Sequence, residues 1–343
     1  MLVLRKPYLL FIGDVRSAVD AKTALGLVDW CPDDVLGELA FPRAALSTGK
    51  PAMSVAEAAA AGAGSLLIGI APAGGALPAH WLPSLLDAVH AGLDIVSGLH
   101  TRLTDIPELV DAAAAAGVQL QDVRHGAWPR VTGTGRKRSG QRVLTVGTDC
   151  ALGKKYTALA LTRALQARGV PATFRATGQT GVMISGSGVA IDAVVSDFIA
   201  GVAEQLSPDN AADHWDVIEG QGSLFHPAYA GVSLGLLHGS QPDALVMCHD
   251  AGRRHIASLP GFATPSLPTA IEACLSAGRL TNAAIRCIGV SVNSSSLGEA
   301  AWRDYREQLQ AELNLPVVDP MRGGVESLAQ VIHHYNKESS HVA

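Results

Sequence analysis

Aromatic residues are scarce, at 5% of the chain, and charged residues make up only 17%. No positive excess offsets that scarcity, because the net charge is -5, which argues against a general nucleic-acid role. No apolar run reaches the roughly 18 residues that a membrane-crossing helix needs. The opening MLVLRKPYLLFIG is too short for a secretory leader and lacks its small-residue cleavage site. The five cysteines (Cys31, Cys150, Cys248, Cys274, Cys287) form no C-x-x-C pair, so they read as reduced, cytoplasmic thiols and not as a zinc site or a disulfide framework. There is no H-E-x-x-H for a zinc enzyme and no G-x-G-x-x-G for a dinucleotide. These absences point to a small-molecule protein, with no bound metal expected.

Ala, Gly, Val and Leu dominate instead, within a hydrophobic content of 48% over 343 residues. That is the composition of α/β proteins with buried parallel strands, and the length accommodates two domains. The organising stretch is Val143 to Arg168. Val143–Val146 suits a buried strand, Gly147 to Gly153 a glycine-bounded turn, and Ala158, Leu161 and Leu165 fall at helical spacing. Strand, glycine turn, lysine, helix is the layout of a phosphate-binding loop: backbone N–H groups at the helix start face the anion and the lysine adds a point charge. The match to G-x-x-x-x-G-K-[ST] is imperfect, since five residues and not four separate Gly147 from Gly153, and Lys155 stands where a hydroxyl belongs. The nearest helical hydroxyl is Thr157. A second ammonium at that position opposes Mg²⁺ and suits a pyrophosphate better than a Mg–triphosphate. The reading therefore gives the cofactor Gly147, Thr148, Asp149, Cys150, Ala151, Leu152, Gly153, Lys154, Lys155, Tyr156 and Thr157.

Residues 1–125 alternate short apolar runs with helical ones, which predicts βαβ units and a Rossmann-like parallel sheet. Strands are expected at Tyr8–Ile12, Ala24–Val28, Ser65–Ile70 and Asp94–Val96, with Val35–Leu39 either a turn or a short strand. Helices are expected at Val55–Ala61 with Ser54 as its cap, at Leu82–Ala91 and at Ile106–Ala116. The loops after these strands, Gly13-Asp14, Pro72–Gly75 and Ser97–His100, are the expected ligand positions. Residues 126–140 read as an exposed linker with a basic run, Arg136-Lys137-Arg138.

Residues 141–343 form the second expected domain, a P-loop NTPase-like parallel sheet. Its further strands, Ala172–Ala176, Val217-Ile218, Ala244–Cys248, Ile288–Val292 and Pro316–Val318, all run into polar or glycine residues, so one sheet edge becomes a crevice. Glu219-Gly220-Gln221-Gly222 is the second strong signal: a carboxylate at a strand end beside a phosphate loop serves as base, metal ligand or partner of the loop lysine.

Gly147-Thr148-Asp149 with Gly153-Lys154, together with Glu219-Gly220-x-Gly222, is similar to dethiobiotin synthetase and its P-loop relatives. A closer resemblance spans nearly the whole chain. GTDCALGK, RATGQTGVMISGSG, SDFIAG, VIEGQGSLFHPAYAGVSLGLLHGS, IVSGLHTRL, GVSVNSSSL and VVDPMRGG resemble the P-loop family typified by D-glutamate N-acetyltransferase. The resemblance implies a homo-oligomer that moves an acetyl group from acetyl-CoA to the amine of a D-amino acid, D-glutamate foremost. Acetyl-CoA carries a pyrophosphate and needs no Mg²⁺. The basic linker then becomes a candidate for its 3′-phosphate. A base must take the amine's proton, and Glu219, His226 and Asp192 are the candidates, in that order. Glycine turns at Gly220–Gly222 or Gly178–Gly181 are candidates for the oxyanion. Arg175, Gln179, Gln221 and Arg254, the last as part of the pair Arg253-Arg254, are the candidates for holding the substrate. Cys150 lies in the loop with no histidine beside it in sequence, which disfavours covalent catalysis. The alternative readings are an ATP/Mg-dependent ligase or kinase of the dethiobiotin synthetase kind and a non-catalytic nucleotide-binding regulator.

Overall fold

The computed structural model describes residues 2–340 apart from 19, 71, 73, 74 and 127, with side chains to residue 334. The chain folds as two compact units, residues 1–128 with 178–193, and residues 129–177 with 194–343.

The first unit is built on five parallel strands in the spatial order Val35–Ala40, Tyr8–Gly13, Ser65–Ile68, Asp94–Ser97, Leu120–Asp122. Tyr8 to Ile12 are all fully buried, as an apolar run covered on both faces must be. The expected strand at Ala24–Val28 is instead the middle of a helix, Lys22–Trp30, which buries Ala24 and Leu27 at a three-residue spacing. A five-residue apolar run fits either element, and here packing decided. The strand falls later, at Val35–Ala40, on the sheet edge beside Tyr8–Gly13. The Ser54 cap is present as a capping box: Ser54 Oγ accepts from Glu57 N–H at 3.2 Å, and Glu57 Oε2 accepts from Ser54 N–H at 2.8 Å. The edge strand Leu120–Asp122 has too little apolar content to announce itself. Of the expected ligand loop Pro72–Gly75, Ala73 and Gly74 lie outside the described residues.

Sequence order places residues 178–193 with the second half of the chain, but their contacts place them in the first unit. The helix Gln179–Ser185 is held there by Tyr8, whose hydroxyl donates to the Met183 carbonyl at 3.1 Å, and by Lys6, whose Nζ donates to the Ile184 carbonyl at 3.0 Å. Ser187–Gly188 then pairs antiparallel with Leu2–Val3.

The second unit is a six-stranded parallel sheet. Its order is Val317–Val318, Arg286–Asn293, Ala244–Asp250, Gln141–Gly147, Trp215–Ile218, Ala172–Arg175. Parallel pairing brings every strand's C-terminal end to one edge, as the polar strand ends require. The helix Lys154–Ala167 turns Ala158, Leu161 and Leu165 into a core with Val143, Trp215, Val217 and Val246. The basic run of residues 136–138 is pinned to this unit and not freely solvated. Arg136 pairs with Asp209 and Lys137 with Asp243, while Arg138, only 5% exposed, donates to the Gly239 and Ser240 carbonyls. Acids far along the chain supply those partners, which a local reading of charge does not see.

Candidate active site

The phosphate-type loop sits between the strand Gln141–Gly147 and the helix Lys154–Ala167. Its turn needs two residues at positive φ, Ala151 at 52° and Gly153 at 102°. Glycine takes such a backbone at little cost, whereas alanine there stores strain, a feature that concentrates at functional sites. Lys154 is buried, and its Nζ reaches back across the loop to donate to the Asp149 carbonyl at 2.7 Å. Burial pushes the Lys154 ammonium below the ordinary lysine range. Lys155 lies 4.8 Å from the centre of the Tyr156 ring.

Asp149 is fully buried and ties the loop together. Its Oδ1 accepts the Cys150 N–H at 2.6 Å, and its Oδ2 accepts Arg253 Nη1 at 2.9 Å and the Ala257 N–H at 2.7 Å. Arg253 also donates to the Cys150 carbonyl at 2.6 Å. Thr148 is fixed by His249, its Oγ1 lying 3.0 Å from His249 Nδ1. Thr157, the nearest helical hydroxyl, is turned inward: its Oγ1 donates to the Gly153 carbonyl at 3.1 Å and lies 2.7 Å from Ser291 Oγ.

The Glu219–Gly222 turn lies against this loop. A Cβ on Gly220 would stand 1.6 Å from the Thr145 carbonyl oxygen and 3.1 Å from Cδ of Lys154, so only glycine fits. The Gly220 N–H donates to Thr145 Oγ1 at 2.9 Å, which removes it as an oxyanion donor. Glu219 is 4% exposed, and its Oε2 accepts the Thr177 N–H at 3.0 Å. Gln221 Nε2 donates to Thr177 Oγ1 at 3.2 Å.

His226 arrives from beyond that turn. Ligand-type atoms of Asp149, Cys150 and His226 lie within 4.8 Å of one another, so tertiary structure supplies the histidine that Cys150 lacks in sequence. The three have the residue types of a metal site. Asp149, however, already points both oxygens at N–H donors, one of them a guanidinium that a cation would have to displace. His226 Nδ1 accepts the Ala228 N–H at 3.2 Å, so in the neutral ring the proton sits on Nε2. Burial pushes the Cys150 thiol up, against the pull of the Lys154 and Arg253 cations.

Other expected residues are engaged elsewhere. Arg175 Nε donates to Asp216 at 2.8 Å in a largely buried ion pair, which occupies the guanidinium proposed for a substrate carboxylate. Arg254 is exposed, and it is its neighbour Arg253 that reaches the loop. Asp192 and Gln179 belong to the first unit, where Asp192 pairs with Arg124 at 2.9 Å. His249 and Thr177 are the site residues that sequence reasoning passed over, and Arg253, expected on a substrate carboxylate, is engaged by the loop instead. The Arg-Arg pair after a buried strand was the one available signal, and it does not say which of the two reaches the loop.

Comparison with known proteins fits this geometry. Residues 130–329 match the P-loop domain of a family of unknown function, DUF1611, and residues 44–126 match its Rossmann-like N-terminal domain. The chain belongs to the DUF1611 family. A D-glutamate N-acetyltransferase of Pseudoalteromonas sp is 49% identical over 325 residues, covering 95% of this chain and 98% of the relative. A second D-glutamate N-acetyltransferase, from Tritonibacter scottomollicae, is 45% identical over 330 residues, covering 96% and 99%. The crystal structure of a DUF1611 protein from Anabaena variabilis ATCC 29413 superposes with a TM-score of 0.83 at 34% identity, covering 96% of this chain and all of that one. Identity this high over nearly full length makes this DUF1611 member an enzyme, an acyltransferase. Among the described residues no helix is long and apolar enough to cross a membrane.

Proposed function

We propose that this protein moves an acetyl group from acetyl-CoA to the amine of D-glutamate. The names of its two relatives support the acceptor and the group transferred. The observation that carries the choice of acetyl-CoA over Mg–ATP is the inward turn of Thr157. With that hydroxyl bonded to Gly153 and Ser291, and Lys155 in the position after Lys154, the loop offers a pyrophosphate an ammonium and backbone donors, while the usual Mg²⁺-binding position at the helix start carries no hydroxyl.

In this reading Lys154 and the loop N–H groups hold the pyrophosphate. Glu219, fixed through Oε2 by the Thr177 N–H, takes a proton from the acceptor ammonium. The freed amine attacks the thioester carbonyl, the C–N bond forms, the C–S bond breaks and the coenzyme thiolate leaves and is protonated. His226, whose Nδ1 already accepts a hydrogen bond, acts through Nε2–H as a donor to the oxyanion and not as a base.

The test is acetyl-CoA consumption against a panel of D- and L-amino acids in the presence of EDTA. Turnover should be greatest with D-glutamate and should survive the chelator. A strict requirement for Mg–ATP, with no acetyl-CoA consumed, would sink the proposal in favour of the ligase reading.

A further inference from the structure

The first unit carries a cleft of about 310 Å³ whose lining residues all belong to that unit, and none of them is a phosphate-loop residue. Its position follows from the strand order. The five strands of this sheet, counted in chain order, run second, first, third, fourth, fifth across it, so the direction of winding changes between Tyr8–Gly13 and Ser65–Ile68. Connections leave to opposite faces at such a point and open a crevice at the C-terminal strand ends, where open α/β sheets bind ligands. The lining fits that place: Lys22 and Thr23 follow the first of the five strands, Ile68 ends the third and Leu99 follows the fourth.

Lys22 and Arg124 are the permanent cations of the lining, and no carboxylate lines the cleft among the described residues. Arg124 is already oriented. Asp192 Oδ2 accepts from its Nη1 at 2.9 Å, and the Gln179 amide, with its oxygen toward the guanidinium, accepts from Nε at 2.8 Å and from Nη2. These two side chains fix the plane of the guanidinium without using all five of its N–H groups. Asp192 also offsets its charge, which leaves Lys22 as the uncompensated cation among the described lining residues. One uncompensated cation suits a carboxylate better than a phosphate dianion, and a planar carboxylate matches the guanidinium fork. No carboxylate faces the cleft to receive an ammonium, so a 2-oxo acid fits it better than the corresponding amino acid. The hydroxyls of Thr23 and Thr180, 3.2 Å apart, add neutral donors, and Ile68, Leu99 and Met183 bring apolar surface. The volume is at the small end for ligand pockets, enough for a molecule of amino-acid size and too small for coenzyme A.

We propose that this cleft is a second ligand site, complete within the Rossmann-like unit, for a small monocarboxylate of the aliphatic 2-oxo acid class. Arg124 takes the carboxylate with Lys22 beside it, the Thr23–Thr180 pair donates to the 2-oxygen, and the aliphatic chain lies on Ile68, Leu99 and Met183. Such a molecule has no amine and accepts no acetyl group. The inference therefore goes beyond the acetyltransferase reading and does not rest on it.

The experiment is calorimetric titration of the full chain with 4-methyl-2-oxopentanoate. Wild type should bind it at one site per chain and should bind the uncharged 4-methyl-2-oxopentanamide about tenfold or more less tightly, the scale of one charge-assisted contact. Arg124→Met should weaken binding of the acid by about tenfold or more, and Arg124→Lys, which keeps the charge but not the fork, should recover part of that loss. Lys22 is exposed, so Lys22→Met leaves the Arg124–Asp192 pair intact and keeps the test open if the Arg124 variants fail to fold. It should weaken binding about threefold, the scale of an exposed charge pair. Lys154→Ala should bind the acid as wild type does. Loss of binding in Lys154→Ala would move the carboxylate to the phosphate loop and overturn the proposal. So would no binding by wild type at millimolar concentration, equal affinity for the amide, tighter binding of inorganic phosphate, or wild-type affinity in every folded variant at residues 22 and 124. Each of these outcomes is independent of acetyl-CoA consumption, so the two readings fail separately.

Discussion

Arg253 Nη1 donates to Asp149 Oδ2 at 2.9 Å, joining residues 104 positions apart. The bond fastens the strand-end segment after Ala244–Asp250 to the middle of the phosphate loop, and the same guanidinium holds the Cys150 carbonyl. Asp149 is fully buried while Arg253 is 22% exposed at its side chain, so the pair is shielded on the acid's side. Arg253→Met leaves that carboxylate without its cation. We expect a loss of about 3 kcal/mol in unfolding free energy, the low end for stranding a buried charge, together with weaker acetyl-CoA binding. Chemical denaturation and cofactor titration on the same variant measure the two. Unchanged cofactor affinity would mean that the loop holds its shape without the arginine.

Lys154 is buried at the start of the loop helix, with Nζ donating to the Asp149 carbonyl. An ammonium has three donors, so a pyrophosphate oxygen can be added to that bond. Lys154→Ala should raise the acetyl-CoA KM about tenfold or more, the scale of one charge-assisted contact. Unaltered kinetics would make the loop a structural turn.

Glu219 follows directly on the buried strand Trp215–Ile218 and is held by the Thr177 N–H. Glu219→Gln keeps size and hydrogen bonding but removes the base. The loss should be about 10²–10⁴-fold and fall on kcat, with acetyl-CoA affinity largely kept. A variant with wild-type kcat would end the role of Glu219 as base. Asp192, which faces Arg124 as one half of an ion pair, is a poor replacement.

Cys150 has His226 as a neighbour in space, the arrangement of a nucleophilic pair. Two details oppose that role: burial pushes the thiol up, and His226 Nδ1 is already accepting from Ala228. Reactive cysteines have lowered and not raised pKa values. Intact-protein mass spectrometry after incubation with acetyl-CoA alone should show no acetyl group on the enzyme, and Cys150→Ser should keep kcat within about tenfold, with any loss falling on cofactor affinity. An acetylated Cys150 that passes its acetyl to D-glutamate would replace direct transfer with a two-step route.

Local pattern along the chain encodes some of the elements outright. The phosphate loop was legible because its strand, glycines, lysine and helical period lie within Val143–Arg168, and each is a short-range signal. The Glu219–Gly222 turn was legible because a buried strand running into an acid and glycines has few other uses. Ala24–Val28 was misread because five apolar residues satisfy both periods, and only burial against the sheet separates helix from strand. The tertiary structure decided every relationship between distant side chains. It paired Arg175 with Asp216, chose Arg253 over Arg254 for the loop, brought His226 to Cys150 and gave residues 178–193 to the first unit. A charge carries no mark of its partner in sequence. Which ion pairs form depends on the strand order 317–286–244–141–215–172, and that order is fixed by burial of the whole sheet and not by any one of its strands.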